Sequence, residues 1–195
     1  MRQPKRFVAL FAVLWLLLGS YIDNVEADST DLPVLADAPV PNNLKPTLSL
    51  IKSDRPTPYK DRCHVQQNLI ASNNPCVYGD LNSKTTIVLF GDSHALSWFP
   101  AIERLALAKH WKLLSLTMSS CWPADIPAYN PKTKTTMDNC GLWRKNTLDQ
   151  ILNINPSWIF VTGTKGFATT NQSGDLAVEP DRTTIWQAGM TRTLQ

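Results

Sequence analysis

Residues 85–90, TTIVLF, constrain the fold of this chain more than any other stretch. The run is short, continuous and β-branched, with no alternation of polar and apolar positions. That is the pattern of a strand buried on both faces, as in a parallel sheet. Gly91 stops the run, and Asp92, Ser93 and His94 follow. From Ala95 the apolar positions recur at helical spacing: Ala95, Trp98, Phe99, Ile102, Leu105 and Ala106. Pro100 bends that helix or marks a restart. Three residue types that do chemistry therefore stand where a strand hands over to a helix.

The same handover is expected twice more. Residues 111–118 read as a second strand and 119–139 as a long loop with Pro123, Pro127 and Pro131. Residues 143–154 read as a helix with Leu148, Ile151 and Leu152 on one face, and Pro156 ends it. Residues 157–161 give a third strand, followed by Thr162, Gly163 and Thr164. After a loop over 165–180, residues 183–195 give a third helix. Strands alternating with helices predict an α/β domain with a parallel sheet. Right-handed crossovers then set the first strand between the second and third, a flavodoxin-like, three-layer order. Ligands in such sheets bind beyond the carboxyl ends of the strands. Segments 91–94, 119–121 and 162–164 all end there. Residues 59–83 read as a lead-in loop.

Arg2, Lys5 and Arg6 precede an apolar run over 7–18 that extends weakly to 22. This reads as a signal peptide over 1–27 or as an uncleaved membrane anchor; residues 7–22 fall just short of the ~17–25 that span a bilayer. Both alternatives export the rest of the chain, to the periplasm or cell surface. Residues 28–58 form a Pro-rich linker, with Pro33, Pro39, Pro41, Pro46, Pro56 and Pro58 breaking any helix or central strand. Cys63, Cys76, Cys121 and Cys140 all lie beyond the export segment, where disulfides are permitted. Of the three possible pairings the local one is expected, Cys63–Cys76 and Cys121–Cys140; zinc is the rival, although no C-x-x-C pair occurs. With 43% hydrophobic and 18% charged residues the chain is ordinary for a globular domain. A net charge of +3, with no basic stripe interleaved by aromatics, gives no case for nucleic-acid binding.

Three readings compete at 91–94. Asp92 and Ser93 are favoured helix caps, worth about 0.5–2 kcal/mol. A nucleophilic Ser93 needs a base and oxyanion donors, and a helix N-terminus supplies some of the donors. A metal site is the third reading, because Asp-x-His after an apolar strand opens the two-metal site of calcineurin-like phosphoesterases. Those also require a Gly-Asp-x-x-Asp and a Gly-Asn-His, neither of which occurs here. The other histidines are His64, before the predicted sheet, and His110, at the far end of a helix.

The run TIVLFGDSHA at 86–95 resembles block I of SGNH (GDSL-type) hydrolases. More closely, it resembles the extracytoplasmic SGNH domain associated with acyltransferase-3 membrane O-acyltransferases. DRPTPYKDRC at 54–63, PCVYGD at 75–80, FPAI at 99–102, LSLT at 114–117, SCWP at 120–123 and CGLW at 140–143 continue the likeness in order. The resemblance implies that Ser93 is the acyl-accepting nucleophile, that Gly91 and Asp92 shape its turn, and that its own N–H is one oxyanion donor. Ser119 and Ser120 would form the second donor region, without the glycine usual there. Thr162–Gly163–Thr164 stands where the third-block asparagine is expected. His94 is not the implied base, since neighbours at a helix start point apart. The base of these enzymes comes from an Asp-x-x-His near the C-terminus. This chain has no histidine after His110, reads as three strands where four or five are implied, and stops inside a helical pattern. The expectation is therefore the N-terminal portion of an SGNH-like domain over 59–195, with an incomplete sheet.

The leading function is O-acyl (acetyl) transfer or ester hydrolysis on cell-envelope polysaccharide or an acylated glycan. A membrane acyltransferase is the expected partner, the membrane is reached through the N-terminal segment, and no cofactor or metal is implied. The alternative is a glycan-binding module or decayed remnant without turnover. Trp98, Trp111, Trp143, Trp158 and Trp186 are expected in the core, with Trp122 the exception beside the site.

Overall fold

The computed structural model of the chain describes residues 41–72, 75–164 and 168–195. Residues 48–195 form one compact unit. The signal or membrane segment expected over 1–27, and part of the linker, lie outside the described residues. Among the described residues no helix is long and apolar enough to cross a membrane.

A single helical turn, α1 (Thr57–Lys60), precedes β1 (His64–Val65), β2 (Val77–Gly79) and β3 (Thr86–Gly91). Two helices, α2 (Ser93–Ser97) and α3 (Phe99–Ala108), lead to β4 (Lys112–Met118). A small hairpin follows, β5 (Tyr129–Asn130) and β6 (Thr135–Thr136), then α4 (Asp138–Ile154), β7 (Trp158–Thr162) and α5 (Asp181–Leu194). The result is a mixed α/β domain with a mostly parallel sheet in the order β1-β4-β3-β7. The first long strand lies between the second and third, the order that right-handed crossovers predict.

Among the described residues the sheet has five strands rather than three. The extra two come from residues 59–83, read above as a loop: β1 joins β4 in parallel and β2 joins it antiparallel. Strands of two and three residues are too short to carry a period, so only their pairing with β4 reveals them.

β3 is buried on both sides because its alternate residues enter two different cores. Val88 and Phe90 pack with Leu114, Met118, Trp143 and Ile151. Ile87 and Leu89 pack with Leu96, Phe99, Ile102 and Leu113 beneath α2 and α3. Each such fully buried side chain contributes about 1.5–3 kcal/mol, which makes β3 the hinge of both layers. The helix expected from 95 to 110 is broken at Trp98, which ends α2 and starts α3. Pro100 sits in the first turn of α3, where a missing N–H costs no helical bond. α4 ends at Asn155 in the left-handed conformation (φ 48), ahead of Pro156.

Of the tryptophans expected in the core, Trp143 is there at 3% exposure, but Trp98 and Trp158 are 60% and 63% exposed. Trp98 occupies the junction between two helices, and Trp158 begins β7, the last strand of the row. Among the described residues nothing covers either side chain fully. Trp122, set apart above as the one beside the site, is buried in the Val88–Phe90 core at 5% exposure.

Cys63 is bonded to Cys76 and Cys121 to Cys140, which leaves no free cysteine. The second bridge ties the segment after β4 to the first turn of α4. Beside it the buried Arg144 donates to the carbonyls of Trp122 (3.1 Å) and Ile126 (2.8 Å). α5 closes the same segment from outside: Asp125 N–H donates to Gly189 O (3.1 Å) and Thr193 Oγ1 to Pro123 O (2.8 Å). The first part of the 119–139 loop is therefore clamped structure. We expect the double substitution Cys121→Ser, Cys140→Ser to lower stability by about 3 kcal/mol, the chain-entropy value for closing a loop of this length. A urea-unfolding midpoint unchanged from the parent chain would contradict it.

Candidate functional site

Register places four residues in one row at the carboxyl ends of the parallel strands: His64, Thr117, Gly91 and Thr162. The chemistry-bearing segments leave the sheet from this row. Gly91 ends β3 at φ +147, a conformation L side chains rarely adopt. A Cβ there would strike the Thr162 carbonyl oxygen and lie 2.9 Å from Ala95 Cβ. The backbone of β3 can thus turn directly against β7.

Asp92 is wholly buried, and both its oxygens accept from backbone amides. Oδ1 takes His94 N–H (2.7 Å) and Ala95 N–H (3.3 Å), and Oδ2 takes Thr164 N–H (2.8 Å). It caps α2 and simultaneously staples the β7 exit loop to the turn. The mostly exposed ring of His94 holds its Nδ1 3.7 Å from Asp92 Oδ1. As a metal ligand Asp92 would have to give up the amides of His94, Ala95 and Thr164. Among the described residues no cluster of three or more His, Cys, Asp or Glu stands ready for a metal ion.

Ser93 opens α2 half-buried. Its carbonyl accepts from Ser97 Oγ (3.2 Å). Asp92 takes the amides of His94 and Ala95 and leaves that of Ser93 alone. Among the described residues neither the Ser93 N–H nor its Oγ has a hydrogen-bond partner. A hydroxyl and an amide of one residue are thus both uncommitted at the end of the central strand.

Two residues past Thr117, the expected second donor region divides. Ser119 N–H donates to Val65 O (2.8 Å), so that amide is engaged. Ser120 is exposed, takes a left-handed backbone (φ 53) and has no hydrogen bond to its N–H among the described residues. Only Ser120 presents a free amide there. Below it lies a cavity of about 380 Å³ bordered by Trp122, Tyr129, Asn130 and Lys132. On the other flank, Gly163 is 3.5 Å from Asp92 Oδ2 as a Cβ would measure it, with Pro123 nearer still.

His64 was set aside on sequence grounds as lying before the sheet. It is in the sheet, 3% exposed, in the row that carries the site. Its Nδ1 is 3.0 Å from Thr117 Oγ1 and its Nε2 3.0 Å from Ser119 Oγ. One signal could have flagged it: Asp61 and His64 stand at Asp-x-x-His spacing. They form no dyad, since both ring nitrogens of His64 meet hydroxyls, Thr117 Oγ1 and Ser119 Oγ, while Asp61 Oδ2 accepts from Tyr78 OH (3.2 Å). Burial pulls the His64 pKa down to about 4, partly opposed by the charge of Asp92. Between 6.5 and about 4 the unfolded chain therefore binds the extra proton. The stability that neutral His64 supports is complete above 6.5 and is lost as pH falls toward 4. The third histidine, His110, is at the opposite end of the strands, 3.6 Å from Asp80.

A family model described as "SGNH domain (fused to AT3 domains)" matches residues 62–195. No curated protein matches the chain. Among solved structures, the chain is similar to the periplasmic domain of the lipopolysaccharide acetyltransferase of Salmonella ser. Paratyphi A, at 17% identity and a TM-score of 0.42. The likeness covers 59% of this chain and 40% of that one, so the chain spans about two fifths of its neighbour's length.

Proposed function

The chain belongs to the family of SGNH domains of the kind fused to AT3 domains, and from that premise we propose that it serves O-acyl transfer or ester hydrolysis, with Ser93 as the acyl-accepting nucleophile. The observation that carries this is the uncommitted Oγ and N–H of Ser93 on a turn that Asp92 locks from within. Ser93 Oγ attacks the acyl carbonyl carbon, losing its proton to water, and the adduct later collapses by breaking the bond to the donor's oxygen, which takes up a proton and leaves as the alcohol. The carbonyl oxygen becomes the oxyanion, received by the amides of Ser93 and Ser120. Gly91 lets the attacking residue sit close against β7. The substrate is an acylated glycan of the cell envelope, and a membrane acyltransferase is the natural donor partner. Two disulfides suit an extracytoplasmic site. No cofactor enters this reaction.

Among the described residues no base is hydrogen-bonded to Ser93, and general-base assistance is worth about 10²–10⁴-fold. We therefore expect a fluorophosphonate to label Ser93 of the 195-residue chain slowly, about 10²-fold or more below a serine hydrolase with its base in place. Ser93→Ala should abolish the label while the unfolding midpoint stays within about 0.5 kcal/mol. Equal labelling of the variant overturns the assignment. The lack of a bonded base favours a second reading, a glycan-binding module without turnover. Saturable binding of acetylated polysaccharide, with no acetate released and no Ser93 label, would select it.

A further inference from the structure

We propose that His64 is a positioning residue for the oxyanion turn: bridging Thr117 Oγ1 and Ser119 Oγ, its neutral ring holds the segment after β4 in the shape that presents the Ser120 N–H beside Ser93. This rests on the nucleophile reading of Ser93 for its purpose, though not for its geometry.

Three observations converge on it. First, β3 and β4 run parallel with Gly91 opposite Thr117. The strand ends at Gly91 and Thr117 are about 4.8 Å apart, and Ser93 and Ser119 each stand two residues beyond them, Ser93 already in α2. Second, both ring nitrogens of His64 are engaged, at 3.0 Å each, and the side chain is buried. Third, Ser120 is held at φ 53, a left-handed backbone that a serine leaves unless its surroundings impose it. The bonds from His64 Nε2 to Ser119 Oγ and from Ser119 N–H to Val65 O fix the residue just before it.

The ring's protonation state sets the wiring. A neutral imidazole is one donor and one acceptor, so one hydroxyl accepts from it and the other donates to it. An imidazolium donates twice, and the hydroxyl that was donating must turn away. Thr117 is wholly buried and Ser119 only half-buried, so the release falls on Ser119. The groups facing the ring are few. Tyr59 of α1 meets it edge-on at 4.9 Å, Arg62 and Tyr59 share with it a cavity of about 390 Å³, and Asp92 acts on it by charge.

The test uses ¹⁵N-labelled full chain. At pH 7, His64→Phe fills the ring's space without its hydrogen bonds, and His64→Gln keeps one donor and one acceptor. We expect the Ser119 and Cys121 amides of His64→Phe to exchange about tenfold faster or more, with those of Leu96 and Ala101 unchanged, and His64→Gln to recover most of the protection. Unchanged exchange in His64→Phe overturns the proposal, as does equal loss in both variants. Should His64→Phe not fold, titration of the parent chain decides. Ser119 and Ser120 amide shifts that follow the His64 ring signal near pH 4 support the bridge; a ring that titrates while they stay still overturns it. Fluorophosphonate labelling of the same samples separates the two ideas. A coupled His64 turn with Ser93 never labelled sinks the nucleophile reading alone, and a labelled Ser93 with an uncoupled turn sinks this one alone.

Discussion

Gly91→Ala lowers the stability of the domain by about 2–6 kcal/mol, and calorimetry or urea unfolding will show it as a large fall in midpoint. Two terms add. The φ of +147 is closed to alanine, and forcing it costs of order 1–3 kcal/mol. The new Cβ must also displace the Thr162 carbonyl, which is backbone, and crowd Ala95, which is fully buried. Overpacking a rigid core adds about 1–3 kcal/mol. The strand pairing Gly91 with Thr162 has to open, and the turn carrying Ser93 moves with it. Gly141→Ala is the control. It lies in α4 with nothing within 4 Å of the added Cβ, and should gain up to about 1 kcal/mol. A Gly91→Ala chain within 1 kcal/mol of the parent would show that β3 and β7 are not in the contact described.

Asp92→Ala should cost about 2–5 kcal/mol, about half of it beyond a simple cap. Losing the cap to His94 and Ala95 accounts for about 1–2 kcal/mol. The rest comes from Thr164 N–H, whose partner across the site is removed. Thr164 is half-buried, and taking the charged acceptor from its N–H costs about 1–3 kcal/mol. Asp92→Asn separates the two terms. Its carbonyl oxygen keeps the α2 amides, but its NH₂ then faces the Thr164 N–H, so roughly half the loss should remain. Amide exchange locates the damage: in Asp92→Ala the opening of α2 and residue 164 lose protection together. If only α2 loosens, the staple between the β3 turn and the β7 exit is not what Asp92 provides.

The two sites differ in how visible they were beforehand. Asp92 as a cap could be read locally, from an acidic residue between a strand-like run and a helical one. Its reach to Thr164, 72 residues on, could not. The Ser119–Ser120 pair was legible only as a region. Which amide is free depends on Val65 O lying against Ser119 N–H, and that follows from β1 pairing with β4. The place of His64 in the sheet was illegible for the same cause, although its Asp-x-x-His spacing to Asp61 marks the residue itself. A two-residue strand has no period, and its place beside Thr117 comes from a contact 53 residues away. The tryptophans show the converse error. Hydrophobicity alone put Trp98 and Trp158 inside, but among the described residues nothing covers either side chain fully.

What the sequence by itself determined is the part written in local pattern. The buried β3 follows from an unbroken β-branched run, the helices from apolar spacing, and the order of the three long strands from the handedness of their crossovers. The position of Ser93 at the end of the central strand follows from all three. Only the tertiary structure decided which polar groups around Ser93 are spent and which are free. Hydrogen bonds among side chains and amides at a sheet end are made between segments far apart in the chain. No period or composition within any one of those segments records its partner.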